Sequence, residues 1–188
     1  MNRTVAIIVA AGKGSRAESE RAKQWCDLNG RRVIEWSIRA FQSHPAVDDV
    51  IIVTGPDVPD DFRPDGCLLA TGGDTRTQSV RNGLQAIKDP AENTAVLIHD
   101  AARPGLTHAI IDNLLEALST HDAAAPALPV QDALKRASDT NLVSVSRDDL
   151  YRVQTPQAFR FGAIVHALSE AADDLVDDLA AVERQGVA

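Results

Sequence analysis

The sequence predicts an α/β fold, a doubly wound and mostly parallel sheet with helices on both faces, and three observations carry that reading. Apolar runs of strand length alternate with stretches of helical period. The runs are continuously apolar, as expected of strands covered on both faces. Polar clusters at 12–16, 72–76 and 99–103 follow the runs, at the strand ends where open α/β sheets bind ligands.

Residues 5–11 (VAIIVAA) form the first buried strand and lead into a glycine-bearing loop, Gly12 to Arg16. Ile34, Ile38 and Phe41, with Val33 and Ser37 on a neighbouring stripe, predict a helix that closes at His44 and Pro45. Residues 49–54 (DVIIVT) are a second strand, followed by a loop rich in proline and aspartate. Residues 67–70 give a short third strand that ends at Gly72, Gly73 and Asp74. Val80, Leu84 and Ile87 stand at i, i+4 and i+7 of a helix, and 94–98 (TAVLI) are a fourth strand ending at His99 and Asp100. A helix over 107–119 carries Ile110, Ile111, Leu114, Leu115 and Leu118, and 123–130 read as a fifth strand. Residues 132–161 break the rhythm: they show no helical period and alternate at 142–145, so they read as an extended arm leaving a single domain.

A chain of 188 residues, 44% hydrophobic, suits one domain with its own core. At that size roughly 70% of the unfolded surface is buried, so no disulfide staple is required. Cys26 and Cys67 have no metal-ligand spacing, and a reducing cytoplasm is the expected compartment. Met1 to Thr4 run straight into a strand, without a signal-like apolar region or a run of about 18 apolar residues, so a soluble, untargeted chain is expected. The net charge of −8 argues against general nucleic-acid binding but leaves room for a local cationic site.

The first loop admits three readings. Gly12, Gly14 and Ala17 match the permissive dinucleotide pattern G-x-G-x-x-A, yet no acid closes the second strand to hold a ribose. The loop can instead cradle a triphosphate on backbone N–H groups, with Lys13, Arg16, Arg21 and Lys23 adding charge. The remaining reading, a Walker A loop GxxxxGK[ST], is absent, and solvated surface charge is the plainer alternative, given Glu18 and Glu20 among these cations. Asp100, at a strand's carboxyl end opposite that loop, suits Mg²⁺, which takes one or two protein carboxylates and completes its shell with phosphate and water. A turn aspartate is the plainer alternative. His99 reads as a packed strand-end residue and receives no role. Asp74 and Arg76 after two glycines suit either a helix start or close backbone approach to a base edge, with Ser79 nearby.

Together these segments resemble the 2-C-methyl-D-erythritol 4-phosphate cytidylyltransferases of the non-mevalonate isoprenoid route. The resemblance rests on AAGKGSR at 10–16, Lys23 with Gln24, GGDTR at 72–76 with Ser79, HDAARP at 99–104, and QTPQ at 154–157, in family order from about residue 5 to 179. The HDAARP and TPQ segments are specific, whereas the glycine loop marks the wider nucleotidyltransferase superfamily. The resemblance implies a Rossmann-like fold of the nucleotide-diphospho-sugar transferase type and transfer of CMP from CTP with Mg²⁺. It implies that Arg16 and Lys23 act on the transition state and that Ala10, Ala11, Gly12 and Gly14 line the triphosphate. Gly73, Asp74, Arg76 and Ser79 would surround the cytosine. Asp100 would serve metal and ribose, with Ala101 and Arg103 beside it. The extended stretch would be a β-arm that clasps a second copy in a homodimer, with Arg147 and Thr155 positioning the polyol phosphate and Arg147 acting in the partner's site.

This sequence departs from the family at three places. Ala22 stands where family members often carry proline, and Ala133 follows Asp132 where many carry Thr or Ser. Residues 176–180 (VDDLA) look like a degraded T-D-(D/E)-A-S stretch. The family continues past the position of Ala188 through an Asn-Ile-Lys-Val-Thr-like segment, so a shortened chain, or one half of a bacterial two-enzyme fusion, is expected. The rival readings are a cytidylyltransferase for another polyol phosphate such as ribitol 5-phosphate, a sugar-1-phosphate nucleotidyltransferase, a non-catalytic CTP-binding module, and, more distantly, a NAD-binding domain.

Overall fold

A computed structural model describes residues 3–12, 22–171, 175 and 177–186. The central sheet has six strands in the order β5-β4-β1-β6-β12-β7. In chain order these are β1 (Thr4–Ala10), β4 (Asp49–Thr54), β5 (Leu68–Thr71), β6 (Ala95–Asp100), β7 (Ala123–Ala124) and β12 (Gln157–Arg160). A small antiparallel pair, β2 (Asp27–Leu28) and β3 (Arg31–Arg32), precedes the first helix. β1, β4, β5 and β6 run parallel, while β12 is antiparallel to β6 and β7. The fold is therefore the expected α/β sheet, mixed but mostly parallel.

The strands sort their side chains by parity. Ala6, Ile8, Val50, Ile52 and Leu97 pack with Ile34, Ile38, Phe41, Ile111 and Leu114 from α1 (Val33–Gln42) and α3 (His108–Ala117). Val5, Ile7, Ile51, Val53, Val96 and Ile98 face the other way, against Val80 and Leu84 of α2 (Arg76–Gln85), Ile164 and Leu168 of α4 (Phe161–Ser169), and Val182 of α5 (Leu179–Glu183). This double cover explains why β1 reads as an unbroken apolar run. Gly83 lets α2 lie down on the sheet: a Cβ there would stand 2.8 Å from a methyl of Ile7 and 2.9 Å from one of Val53. α2 starts where the Thr75 hydroxyl accepts the Gln78 N–H at 3.1 Å, satisfying one orphan donor of the first turn.

Register aligns the carboxyl ends. Ala10 pairs with Thr54, Thr54 with Thr71, and Val9 with Asp100. The chain winds from β1 outward through β4 and β5, then returns to β6 on the far side of β1. The gap beyond β1 and β6 is thus a topological switch point, where a ligand crevice forms in open sheets.

The extended stretch divides differently from the sequence reading. The expected fifth strand splits: β7 stays on the sheet edge, and β8 (Ala127–Pro129) leaves with the arm. β8 pairs with β11 (Tyr151–Val153), and β9 (Leu134–Ala137) with β10 (Leu142–Val145), both antiparallel. The chain rejoins the body at β12, whose Gln157, Ala158 and Phe159 are buried inside the sheet. Alternation alone did not separate β12 from the arm, because a strand inserted between β6 and β7 is marked by burial and not by local period. Among the described residues no helix is long and apolar enough to cross a membrane, and Cys26 and Cys67 are in no disulfide.

Candidate active site

The carboxyl end of β6 is the centre of a connected polar cluster. The Asp100 carboxylate accepts from Arg76 Nε at 3.2 Å and from Arg103 Nε at 3.1 Å, one arginine on each oxygen. Arg76, the first residue of α2, reaches further and donates Nη1 to Asp178 Oδ2 at 2.8 Å. Arg103 donates Nη1 to Gln154 Oε1 at 2.7 Å, and the Asp100 N–H meets the Thr155 hydroxyl oxygen at 3.3 Å. The Ala101 N–H bonds the Val9 carbonyl at 3.1 Å and so ties the loop after β6 to β1. Asp178 is fully buried; burial pushes its carboxyl above the ordinary value, against the pull of Arg76.

The other two strand ends converge on this cluster. Gln24 is buried and donates its amide to the carbonyls of Ala10 at 3.0 Å and Gly12 at 3.1 Å, pinning the start of the glycine loop. Its neighbour Lys23, in the 3₁₀ turn Lys23–Trp25, stays exposed. Gly72 lies so close to the first loop that a Cβ would stand 2.3 Å from the Ala11 methyl. The Gly73 N–H bonds the Ser79 hydroxyl at 3.1 Å, and that hydroxyl donates to the Thr75 carbonyl at 2.9 Å. Ser79 is buried, so it shapes the Gly73 turn from beneath, while Asp74 is exposed at its tip.

Ala10, Ala11, Gly12, Gly73, Arg76, Ser79, Asp100, Ala101, Arg103 and Thr155 therefore gather at the carboxyl end of the sheet. Arg147 does not join them: it sits in the arm, where its guanidinium donates to the Gln131 carbonyl. Gly14 and Arg16, with Lys13 and Arg21, lie outside the described residues. Sequence reasoning missed four participants: Gln24 as a loop anchor, Gln154 and Asp178 as arginine partners, and His99. The His99 ring is buried and contacts Ser37, Arg103 and Thr155, and burial holds it down at about 4, so it is neutral at physiological pH. All four lie in stretches that carry the family resemblance, Gln24 beside Lys23, His99 opening HDAARP, Gln154 opening QTPQ and Asp178 in the degraded acidic stretch, but nothing local to any of them shows what it touches.

Comparison with known proteins gives this geometry a context. The family model for 2-C-methyl-D-erythritol 4-phosphate cytidylyltransferase (IspD) matches residues 4–188. The chain belongs to the IspD family. A cytidylyltransferase of that name from Roseobacter denitrificans is 41% identical, over 97% of this chain and 83% of the relative. A bifunctional IspD/IspF enzyme of Hyphomonas neptunium is 52% identical over 99% of this chain, which spans 50% of that relative. The chain thus covers about half the length of the bifunctional relatives it matches. Among solved structures, a 4-diphosphocytidyl-2C-methyl-D-erythritol synthase superposes with a TM-score of 0.82 at 30% identity, covering 100% of this chain and 87% of that one. The bifunctional IspDF of Campylobacter jejuni superposes at 0.84 over 100% of this chain and 48% of that one; at 24% identity it speaks for the fold.

Proposed function

We propose that this chain transfers CMP from CTP to 2-C-methyl-D-erythritol 4-phosphate and releases pyrophosphate. The observation that carries the reading is the Arg76–Asp100–Arg103 cluster at the switch point, beside a glycine loop, in an IspD-family chain. The acceptor's phosphate oxygen attacks the α-phosphorus of CTP, the new P–O bond forms, and the bond to pyrophosphate breaks in line. That oxygen is already anionic near neutral pH, so the protein has no proton to remove. Its task is positioning and charge stabilisation. Lys23 and Arg16 neutralise the charge that builds at the α-phosphorus. Backbone groups of Ala11, Gly12 and Gly14 line the triphosphate, and Gly73 with Asp74 meets the base.

The donor set fits a divalent ion carried on the triphosphate. Among the described residues no group of three or more His, Cys, Asp or Glu side chains gathers, and Asp100 supplies one partly exposed carboxylate. One carboxylate plus phosphate oxygens is the usual Mg²⁺ arrangement. Asp100 would hold the ion, which when bound neutralises triphosphate charge. Arg76 has Asp178 as a second partner, so Asp100 can turn away from it without stranding the guanidinium.

The arm is the proposed dimer contact. Leu128, Leu142, Val143 and Tyr151 are each more than half exposed on it. Two-stranded antiparallel pairs are marginal alone, and a second copy covering these side chains would stabilise them. Arg147 would then reach the partner's site, where Thr155 meets the acceptor; Ala133 offers no hydroxyl to the same substrate.

The test is pyrophosphate release from CTP and Mg²⁺ with 2-C-methyl-D-erythritol 4-phosphate, with ribitol 5-phosphate run in parallel. Release with the first acceptor alone is expected. Release with ribitol 5-phosphate alone would reassign the acceptor. No release with either, while CTP still raises the melting temperature, would reduce the chain to a nucleotide-binding module.

A further inference from the structure

Beneath the cluster lies a buried imidazole to which the reaction as described gives no role. His99 Nε2 stands 3.0 Å from the Arg103 carbonyl oxygen and 3.1 Å from the Ser37 hydroxyl, and Nδ1 stands 3.1 Å from the Thr155 hydroxyl. Phe41 packs edge-on against the ring, with centroids 5.7 Å apart.

The partners fix the tautomer. A carbonyl oxygen only accepts, so the nitrogen facing Arg103 must carry the proton. The opposite tautomer would set two lone pairs against each other 3.0 Å apart in a buried site. The Ser37 hydroxyl donates to the same carbonyl at 3.1 Å, which leaves its oxygen free to share the Nε2–H. The Thr155 carbonyl also lies near the ring, but the hydrogen bond of normal geometry at Nδ1 is to the Thr155 hydroxyl; Nδ1 is then a bare acceptor, and among the described residues its neighbour with a proton to give is that hydroxyl. A threonine hydroxyl has one proton and two lone pairs. The proton goes to His99, and one lone pair receives the Asp100 N–H at 3.3 Å.

We propose that His99 is a positioning residue: it takes the Thr155 proton, so that Thr155 offers the acceptor substrate a single oxygen lone pair. Thr155 then selects a substrate hydroxyl, a donor, and makes no hydrogen bond to the substrate's phosphate. The same ring holds the Arg103 carbonyl, so one buried side chain sets both Thr155 and the loop that carries Arg103 relative to Asp100. The inference rests on the cytidylyltransferase reading for the identity of the substrate, but its geometric part does not.

Two substitutions separate the ring's two functions. His99→Asn keeps an acceptor where Nδ1 stands and loses the Nε2–H; His99→Gln keeps a donor toward Arg103 and loses the acceptor for Thr155. His99→Gln is expected to raise KM for the polyol phosphate about tenfold, the scale of one lost hydrogen bond, with KM for CTP unchanged within about twofold. His99→Asn should restore most of that loss. Equal rises in both KM values, or identical behaviour of the two variants, would overturn the proposal and leave His99 as packing alone. A second measurement needs no turnover. In ¹⁵N-labelled wild-type protein without substrate, ring correlation spectra should show Nε2 protonated and Nδ1 bare, and Thr155→Val should shift the Nδ1 resonance. A ring protonated at Nδ1, or an Nδ1 resonance indifferent to Thr155→Val, sinks the inference even if either variant fails to fold. The expected spectra from a protein that releases no pyrophosphate would leave the His99–Thr155 linkage standing and remove the reaction instead.

Discussion

Strand β1 is buried along nearly its whole length, whereas β10 in the arm leaves Leu142 68% and Val143 56% exposed. The two regions are built on opposite principles. In the body, apolar side chains from both faces of one sheet meet helices, and polar groups at the carboxyl ends are tied to one another: Gln24 under the start of the glycine loop, Ser79 under Gly73, Arg76 between Asp100 and Asp178. In the arm, two small ladders stand on backbone hydrogen bonds and local polar contacts such as Lys135 to Ser144 at 2.6 Å. The contrast teaches that the strand-end cluster is organised within one chain, while the arm leaves its apolar side chains exposed.

Substitutions can break this contrast, and the largest effect belongs to the sheet. Phe159, fully buried on β12, should cost about 3–5 kcal/mol on change to Ala, through lost transfer energy and the cavity left behind. Urea unfolding measures it, and a loss near zero would mean that β12 is not the core strand it is taken for. Arg76→Ala comes next, at about 3 kcal/mol, because it leaves the buried Asp178 carboxylate uncompensated. The sign with pH follows from Asp178. Burial already raises its carboxyl, and removing Arg76 raises it further. A carboxyl whose folded value lies above the unfolded one gives its stability at low pH and loses it as pH rises through the folded value. The variant's deficit should therefore grow as pH rises above the ordinary carboxylate range, and a pH-independent deficit would contradict a buried carboxylate.

Lys23→Ala should leave folding intact and lower turnover at least about 100-fold, the scale of one preorganised donor. Pyrophosphate release measures this, and near-normal turnover would remove Lys23 from the transition state. Leu142→Ala is the smallest effect on folding, within about 0.5 kcal/mol, since the side chain is mostly exposed. Its consequence should show in association: sedimentation or light scattering should find the two-copy species weakened. A chain that is monomeric before and after the change would remove Arg147 from any partner's site.

Much of the body was legible in sequence because its signals are local. Residues 49–54 are a strand over the predicted span, since a continuous apolar run between turn residues has few alternatives. Val80 and Leu84 announce α2 by their spacing, and the strand-end clusters announce the site by their position after each run. The arm was legible as extended structure but not in its boundaries, because β12 differs from it in where it lies and not in its residue pattern. His99 was passed over for a related reason: a histidine at a strand end reads as packing, and only its neighbours distinguish a packed ring from one that orients a hydroxyl.

From sequence alone came the alternation of strands and helices, the placement of polar clusters at strand ends, and the residue types suited to a triphosphate and a cation. Period and composition act over a few residues and need no partner from elsewhere in the chain. Tertiary structure alone decided which arginine meets which carboxylate, that Asp178 closes the cluster 102 residues from Arg76, and that Ser37 and Thr155 meet across one imidazole. Those pairings depend on sheet order and register, which arise when distant segments bury their apolar faces together and leave no trace in any local window.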